Sequence, residues 1–172
     1  MRSRRLALST FLSLSTLAGI AATEAATAPH VHIATMAQLP VVEMRPYDER
    51  ANADDQVNTA FGRARKLHKR VLIDLGGNWC TDCIVFANIL QLPEVKAFVA
   101  QHYEVAVVDV GRFNKNLQVP ARFGITQRLE GVPSVLIATP DGKLVNRGHV
   151  AALADARHMT PQAVADWLAK WV

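Results

Sequence analysis

The sequence predicts an α/β domain, a central mixed sheet flanked by helices, with an N-terminal helical extension. Three observations lead there. Val71-Leu72-Ile73-Asp74-Leu75 and Val105-Ala106-Val107-Val108 are short β-branched apolar runs, the pattern of strands buried on both faces. The stretch between them has helical spacing, which makes a right-handed β-α-β unit whose strands run parallel and end at one edge of the sheet. A third apolar run, 134–138, leads into the turn signal Pro140-Asp141-Gly142-Lys143, so Leu144-Val145 is expected to return beside it as the second strand of a hairpin.

Taken in order, the chain of 172 residues opens with a segment that stands apart from this domain. Arg2, Arg4 and Arg5 flank the start of an apolar run over 6–20, and alanine-rich sequence follows over 21–28. This is the three-part layout of a secretory signal peptide, with cleavage expected between 22 and 28. The apolar run is short for a membrane span, so no stable span is expected after cleavage. Ser3-Arg4-Arg5-Leu6 also partly matches a twin-arginine export signal, which leaves that route open. Half the residues are hydrophobic and a fifth are charged, which excludes a disordered chain and a multi-span membrane protein. The formal net charge is +4, of which Arg2, Arg4, Arg5 and Glu24 supply +2. The remainder gives no electrostatic case for nucleic acid as a partner.

Residues 29–50 hold Pro29, Pro40 and Pro46 without a sustained period and read as an extended N-terminal arm, in which His30 and His32 are incidental. The folded domain is placed at 51–172. Over 53–68, Val57, Ala60, Phe61, Ala64 and Leu67 recur at helical spacing and form a packing face. Arg63, Arg65, Lys66, Lys69 and Arg70 gather at the C-terminal end of that helix, where cations oppose the negative pole of the helix dipole. Gly76-Gly77 turns the chain out of the first strand, and helices are expected over 81–90 and 94–101 with Pro93 breaking the chain between them. Residues 111–124 read as a loop with a short helix. Thr160-Pro161 supplies a cap and a first-turn proline for a closing helix that turns Val164, Trp167, Leu168 and Trp171 inward.

Without the signal, about 145 residues remain, enough to bury roughly two thirds of the surface without cross-links. In an exported chain the only cysteines are nevertheless Cys80 and Cys83. Closing so short a loop contributes only ~2 kcal/mol, against ~4 or more for a long one, so chemistry explains the pair better than stability. At the opening of a helix, Cys80 meets unpaired backbone N–H groups and the positive end of the dipole, both of which favour thiolate. Cys83, one turn on, lies on the same face and can attack a mixed disulfide between Cys80 and a substrate. The redox-active disulfide Cys80–Cys83 would then be the only cofactor, with no metal.

These residues resemble the thioredoxin superfamily. The resemblance is carried by Leu72-Ile73-Asp74-Leu75, Trp79-Cys80-Thr81-Asp82-Cys83, Gly131-Val132-Pro133 before a strand, and Pro140-Asp141-Gly142-Lys143, and it spans about 55–172. It implies a thioredoxin fold and an exported, periplasmic bacterial thiol-disulfide oxidoreductase that reduces protein disulfides. Its partners would be client proteins with disulfides or thiols and an electron-donating redox protein. The resemblance makes Cys80 the nucleophile, Cys83 the resolving thiol and Trp79 a flank covering the disulfide. Pro133 would be a cis-proline, with the backbone of Val132 pairing with bound substrate. Asp74, six positions before Cys80, would be the buried acid that takes the proton from Cys83; the plainer alternative is a carboxylate at the edge of the strand.

The residues between the cysteines, Thr81-Asp82, depart from the usual Gly-Pro or Pro-His. A carboxylate ~6 Å from a thiolate opposes it by ~3 kcal/mol at an effective dielectric near 20, which makes Asp82 favour a reductant. Asp82 also suits the first turn of a helix. The lysine that thioredoxins place near the buried acid is missing, with Val107 its expected replacement. Gly111-Arg112-Phe113-Asn114-Lys115-Asn116 should emerge at the same edge as Cys80, as a solvated loop or as a surface that reads a partner. Haem attachment fails because Ile84 follows Cys83, and zinc lacks ligands. The alternatives that stand are a copper(I)-handling thioredoxin-like metallochaperone, with His102, His149 or His158 completing a dithiolate site, and a disulfide oxidase or isomerase.

Overall fold

The computed structural model describes residues 26–172, so nearly all of the expected signal peptide lies outside the described residues. The elements in order are α1 (Ala53–Leu67), β1 (Arg70–Gly76), α2 (Thr81–Ile89), α3 (Pro93–His102), β2 (Tyr103–Asp109), α4 (Gln118–Ala121), β3 (Ser134–Ala138) and α5 (Pro161–Ala169). Single 3-10 turns lie at Met36–Gln38 and Ala156–His158. The sheet has the order β2-β1-β3, with β1 parallel to β2 and antiparallel to β3. Register pairs Arg70 with Tyr103 and Gly76 with Asp109, so β1 and β2 end together. Alternation along β1 divides the core. Val71, Ile73 and Leu75 pack with Val57, Ala60 and Ala64 of α1 on one face. Leu72 packs with Phe86 of α2, Val95 of α3 and Leu168 of α5 on the other.

Local chemistry sets the element ends. Asn52 caps α1, its side chain accepting from the N–H groups of Asp54 and Asp55 at 3.0 and 3.2 Å. His68 ends α1 in the left-handed region at φ 55°, which turns the chain and leaves Leu67 52% exposed, not on the packing face as expected. The basic cluster there does more than face the dipole: Arg63 and Lys69 reach Glu104 of β2 at 2.6 and 3.5 Å. Pro93 opens α3 at its first turn, and α2 and α3 meet at 83°. Among the described residues no single helix is long and apolar enough to cross a membrane.

The expected return strand at Leu144-Val145 does not form. Leu144 makes one bridge to Ala138, and the Val145 N–H donates to Ile137 O at 2.8 Å. The fully buried Asn146 then takes over with its side chain: it accepts from the Ile137 N–H at 2.9 Å and donates to Val135 O at 2.8 Å. A side-chain amide thus satisfies the edge of β3 that a fourth strand would have paired.

The arm lies against the domain. Val31 is buried on the α3/α5 face, where its N–H donates to Gln162 at 2.9 Å, and Tyr47 is buried with its hydroxyl on Asp74. Between them Asn88 of α2 accepts from the N–H groups of Val42 and Glu43 at 2.7 and 2.8 Å and donates to Glu43 O at 2.7 Å.

Candidate active site

The strand β1, fully buried from Val71 onward, delivers the chain to a tight turn whose last residue is Cys80. Cys80 is the N-cap of α2 at φ −94° and ψ 114°, and its Sγ accepts from the Cys83 N–H at 3.1 Å. The helix therefore aims an otherwise free backbone donor at this sulfur. Cys80 and Cys83 are joined as a disulfide. Cys80 is 5% exposed and Cys83 is fully covered, so an incoming thiol reaches Cys80 first.

The loop before β3 closes one side of the site. The Val132–Pro133 peptide bond is cis, and the Val132 carbonyl oxygen lies 3.3 Å from Cys80 Sγ. In the reduced state that carbonyl is an acceptor for the Cys80 thiol. The strand β3 begins at Ser134, which donates to Gly131 O at 2.6 Å and fixes the turn.

Trp79 closes the other side. Its Nε1–H donates to Gly111 O at 2.7 Å, its ring lies 6.0 Å from that of Phe113, and the Arg112 guanidinium stands 4.9 Å above it. Arg128 stacks on Phe113 at 4.6 Å. The segment 111–116 therefore emerges at the edge of the sheet where β1 ends and packs on Trp79, as a loop built on Asp109. That carboxylate accepts from the Gly111 N–H at 3.0 Å and from Lys115 Nζ at 2.8 Å, and Asn116 donates to Asp109 O at 2.7 Å. Phe113 and Asn116 both adopt positive φ, 65° and 52°. Lys115 is thus tied inward, and Arg112, Phe113 and Arg128 form the outer surface beside Trp79.

Behind the disulfide, Asp74 is 1% exposed. Burial pushes its carboxyl up to about 7, and a hydrogen bond from Tyr47 works in the opposite direction. The Tyr47 hydroxyl donates to both carboxyl oxygens at 2.9 Å. Burial and the neighbouring carboxylate raise the phenol well above its ordinary range. Val107 stands opposite Asp74 in the β1–β2 register, so no lysine occupies that position. Asp74 lines a cavity of about 540 Å³ shared with Glu43, Lys69, Lys96, Tyr103 and Glu104.

Asp82 lies in the first turn of α2, as expected, but not as a bare carboxylate facing Cys80. It is buried, and it accepts from the Arg157 N–H at 3.0 Å with the Arg157 guanidinium 3.6 Å away. Its charge thus carries a counter-ion, and it anchors the 3-10 turn Ala156–His158 onto α2. The repulsion of a bare carboxylate overstates its effect on Cys80.

Nothing local in the sequence marks Tyr47, Asn78 and Asn88 as part of the site. Asn78 accepts from the Tyr47 N–H at 3.0 Å and donates to Tyr47 O at 2.8 Å, two residues before Cys80. Polar residues in a proline-containing arm and after a Gly-Gly turn carry no periodic signal, and only the folded chain brings them together. The histidines weighed as copper ligands are engaged elsewhere: His102 packs on Phe98, His149 on Trp171, and His158 pairs with Asp155. Among the described residues no group of three or more His, Cys, Asp and Glu side chains is placed to hold a metal ion.

Comparison with known proteins agrees with this geometry. A thioredoxin-like family model matches residues 52–140. The crystal structure of a disulphide isomerase from Xylella fastidiosa Temecula1 is 37% identical, covers 75% of this chain and 97% of its own, and superposes with a TM-score of 0.68. DsbH oxidoreductase is a more distant match, 19% identical over 68% of this chain and 89% of its own, with a TM-score of 0.42. No curated protein sequence matches the chain. With the fold, the Cys80–Cys83 disulfide and both comparisons in agreement, the chain belongs to the thioredoxin-like family.

Proposed function

We propose that this thioredoxin-like thiol-disulfide oxidoreductase reduces protein disulfides in the periplasm, where the signal over 1–28 would deliver it. The observation that carries the reading is Cys80 at the N-cap of α2 with a buried carboxyl, Asp74, whose ionisation burial pushes up to about 7, so that it can take and release a proton near neutral pH. In the reduced protein the Cys80 thiolate attacks a client disulfide, forms a mixed disulfide and releases one client sulfur as thiolate. Cys83 gives its proton to the Asp74 carboxylate and attacks Cys80 Sγ. The bond from Cys80 to the client breaks, the second client sulfur leaves as thiolate, and two electrons have passed from the protein to the client. A thiol-bearing redox partner then reduces Cys80–Cys83. The client chain would run along Val132 and Pro133, with Trp79 and its neighbouring rings and guanidinium groups on its other side.

Isomerisation is the second reading, favoured by the 37% identity to a disulphide isomerase. Both readings begin with the reduced pair; they differ in whether Cys83 resolves the mixed disulfide before the client rearranges. Equilibration with glutathione tests the direction. A potential near ~−270 mV supports reduction, whereas ~−180 mV favours isomerisation and ~−120 mV oxidation. Failure of the purified, reduced protein to reduce insulin disulfides would overturn the reductase reading.

A further inference from the structure

The geometry points to Tyr47, contributed by the arm, as a positioning residue for Asp74: its hydroxyl donates to both carboxyl oxygens and favours the anion that accepts the Cys83 proton, so the arm supplies part of the thiol-disulfide machinery. This rests on the reading of Asp74 as the proton acceptor for Cys83. Tyr47 lies 27 residues before Asp74 and ahead of the 52–140 segment that the family model matches. It is nevertheless buried in the core with both cysteines. A Cβ added to Gly76 would overlap the Tyr47 hydroxyl and sit 2.8 Å from Cys83 Sγ. The phenol and the resolving sulfur are thus neighbours across a residue that must lack a side chain.

The position of the phenol is itself over-determined. Asn78 holds both backbone polar groups of Tyr47, and Asn88 pins the arm at Val42 and Glu43. Lys115 Nζ donates to Glu49 O at 3.2 Å on the C-terminal side of the tyrosine. These contacts fix the backbone at and on both sides of Tyr47, and the hydroxyl's own partner is the Asp74 carboxyl. A carboxyl buried among apolar atoms favours its neutral form, and a neutral carboxyl cannot accept the Cys83 proton. A hydroxyl donating to both oxygens favours the anion and restores a base. Other ionisable groups face this pair. Glu43, Lys69, Lys96, Tyr103 and Glu104 line the cavity with Asp74, and Asp109 acts on the phenol. Among the described residues none of these hydrogen-bonds the Asp74 carboxyl, which Tyr47 holds.

Tyr47→Phe keeps the ring and removes only the donor. In the oxidised variant the Asp74 carboxyl, followed by carbon-13 NMR, is expected to titrate about one pH unit or more above the wild type. In the reduced variant the pH midpoint for resolving a preformed mixed disulfide is expected to rise by the same amount, with a rate about tenfold lower at pH 7 that recovers at higher pH. On an Asp74→Asn background Tyr47→Phe is expected to add no further loss, since both act through one carboxyl. An unchanged carboxyl titration, or equal losses on both backgrounds, would overturn the proposal. If Asp74→Asn itself leaves the resolution rate and its pH profile unchanged, Asp74 is not the acceptor and both readings fall. If Asp74→Asn is slow while Tyr47→Phe is not, only this inference fails. Should Tyr47→Phe not fold, Asn78→Ala, which frees the tyrosine backbone and keeps the phenol, is expected to move the titration in the same direction by less, and no movement would count against the proposal.

Discussion

At the scale of single residues, the two sulfurs are unequal. Cys80 Sγ faces the Cys83 N–H and the Val132 carbonyl, whereas Cys83 is enclosed next to Tyr47 and Gly76. Cys83→Ser is therefore expected to accumulate client mixed disulfides and Cys80→Ser to accumulate none, as read on non-reducing gels after alkylation. Asp74 sets a pH dependence of stability. Its carboxyl titrates at about 7 when folded, against an ordinary value of 3.8. Between those values the folded chain holds a proton that the unfolded chain has released. The contribution is complete below about pH 4 and is lost as pH rises through the folded value, to an extent on the order of 2–4 kcal/mol. Urea unfolding of the oxidised protein should show that decline, and Asp74→Asn should flatten it and be the more stable of the two at about pH 8.5.

At the scale of elements, two side chains do what backbone was expected to do or not to need. Asn146 closes the edge of β3 in place of a fourth strand. Asn146→Ala would leave a buried N–H and a buried C=O without partners, a loss of about 2–4 kcal/mol and a fall in Tm of roughly 5–15 °C. Asp82 docks the turn Ala156–His158 on α2 through the Arg157 N–H. Asp82→Asn retains an acceptor for that N–H and removes only the charge. Because Arg157 already opposes that charge, the redox potential should rise by less than ~30 mV, the equivalent of ~1.4 kcal/mol for two electrons. A rise well beyond that would restore the stronger repulsion expected from spacing alone.

At the scale of the whole molecule, the arm and the domain act as one body around the disulfide. The side chain of Asn88 makes three hydrogen bonds to the arm and a fourth to Ile84 O at 2.8 Å. Asn88→Ala should release the segment 40–46, and limited proteolysis there should speed up about tenfold or more, the ratio set by ~1.4 kcal/mol of lost local stability.

The sequence by itself determined three strands and the helices, the parallel pairing of the first two strands, the cysteine pair at the start of α2 and the proline ahead of β3. Each is written locally, in apolar periods of two or 3.6, in caps and in turn residues, so no distant partner is needed to read it. The tertiary structure alone decided how the polar groups are satisfied: Tyr47 on Asp74, Asn88 on residues 45 and 46 positions away, Arg157 on Asp82 across 75 positions, and Asn146 on β3. These residue types usually mark surface, and burial reverses that reading only when a matching donor or acceptor arrives from elsewhere in the chain. A hydrogen bond between distant residues leaves no period in the sequence, and its strength depends on the low dielectric that the finished fold creates around it.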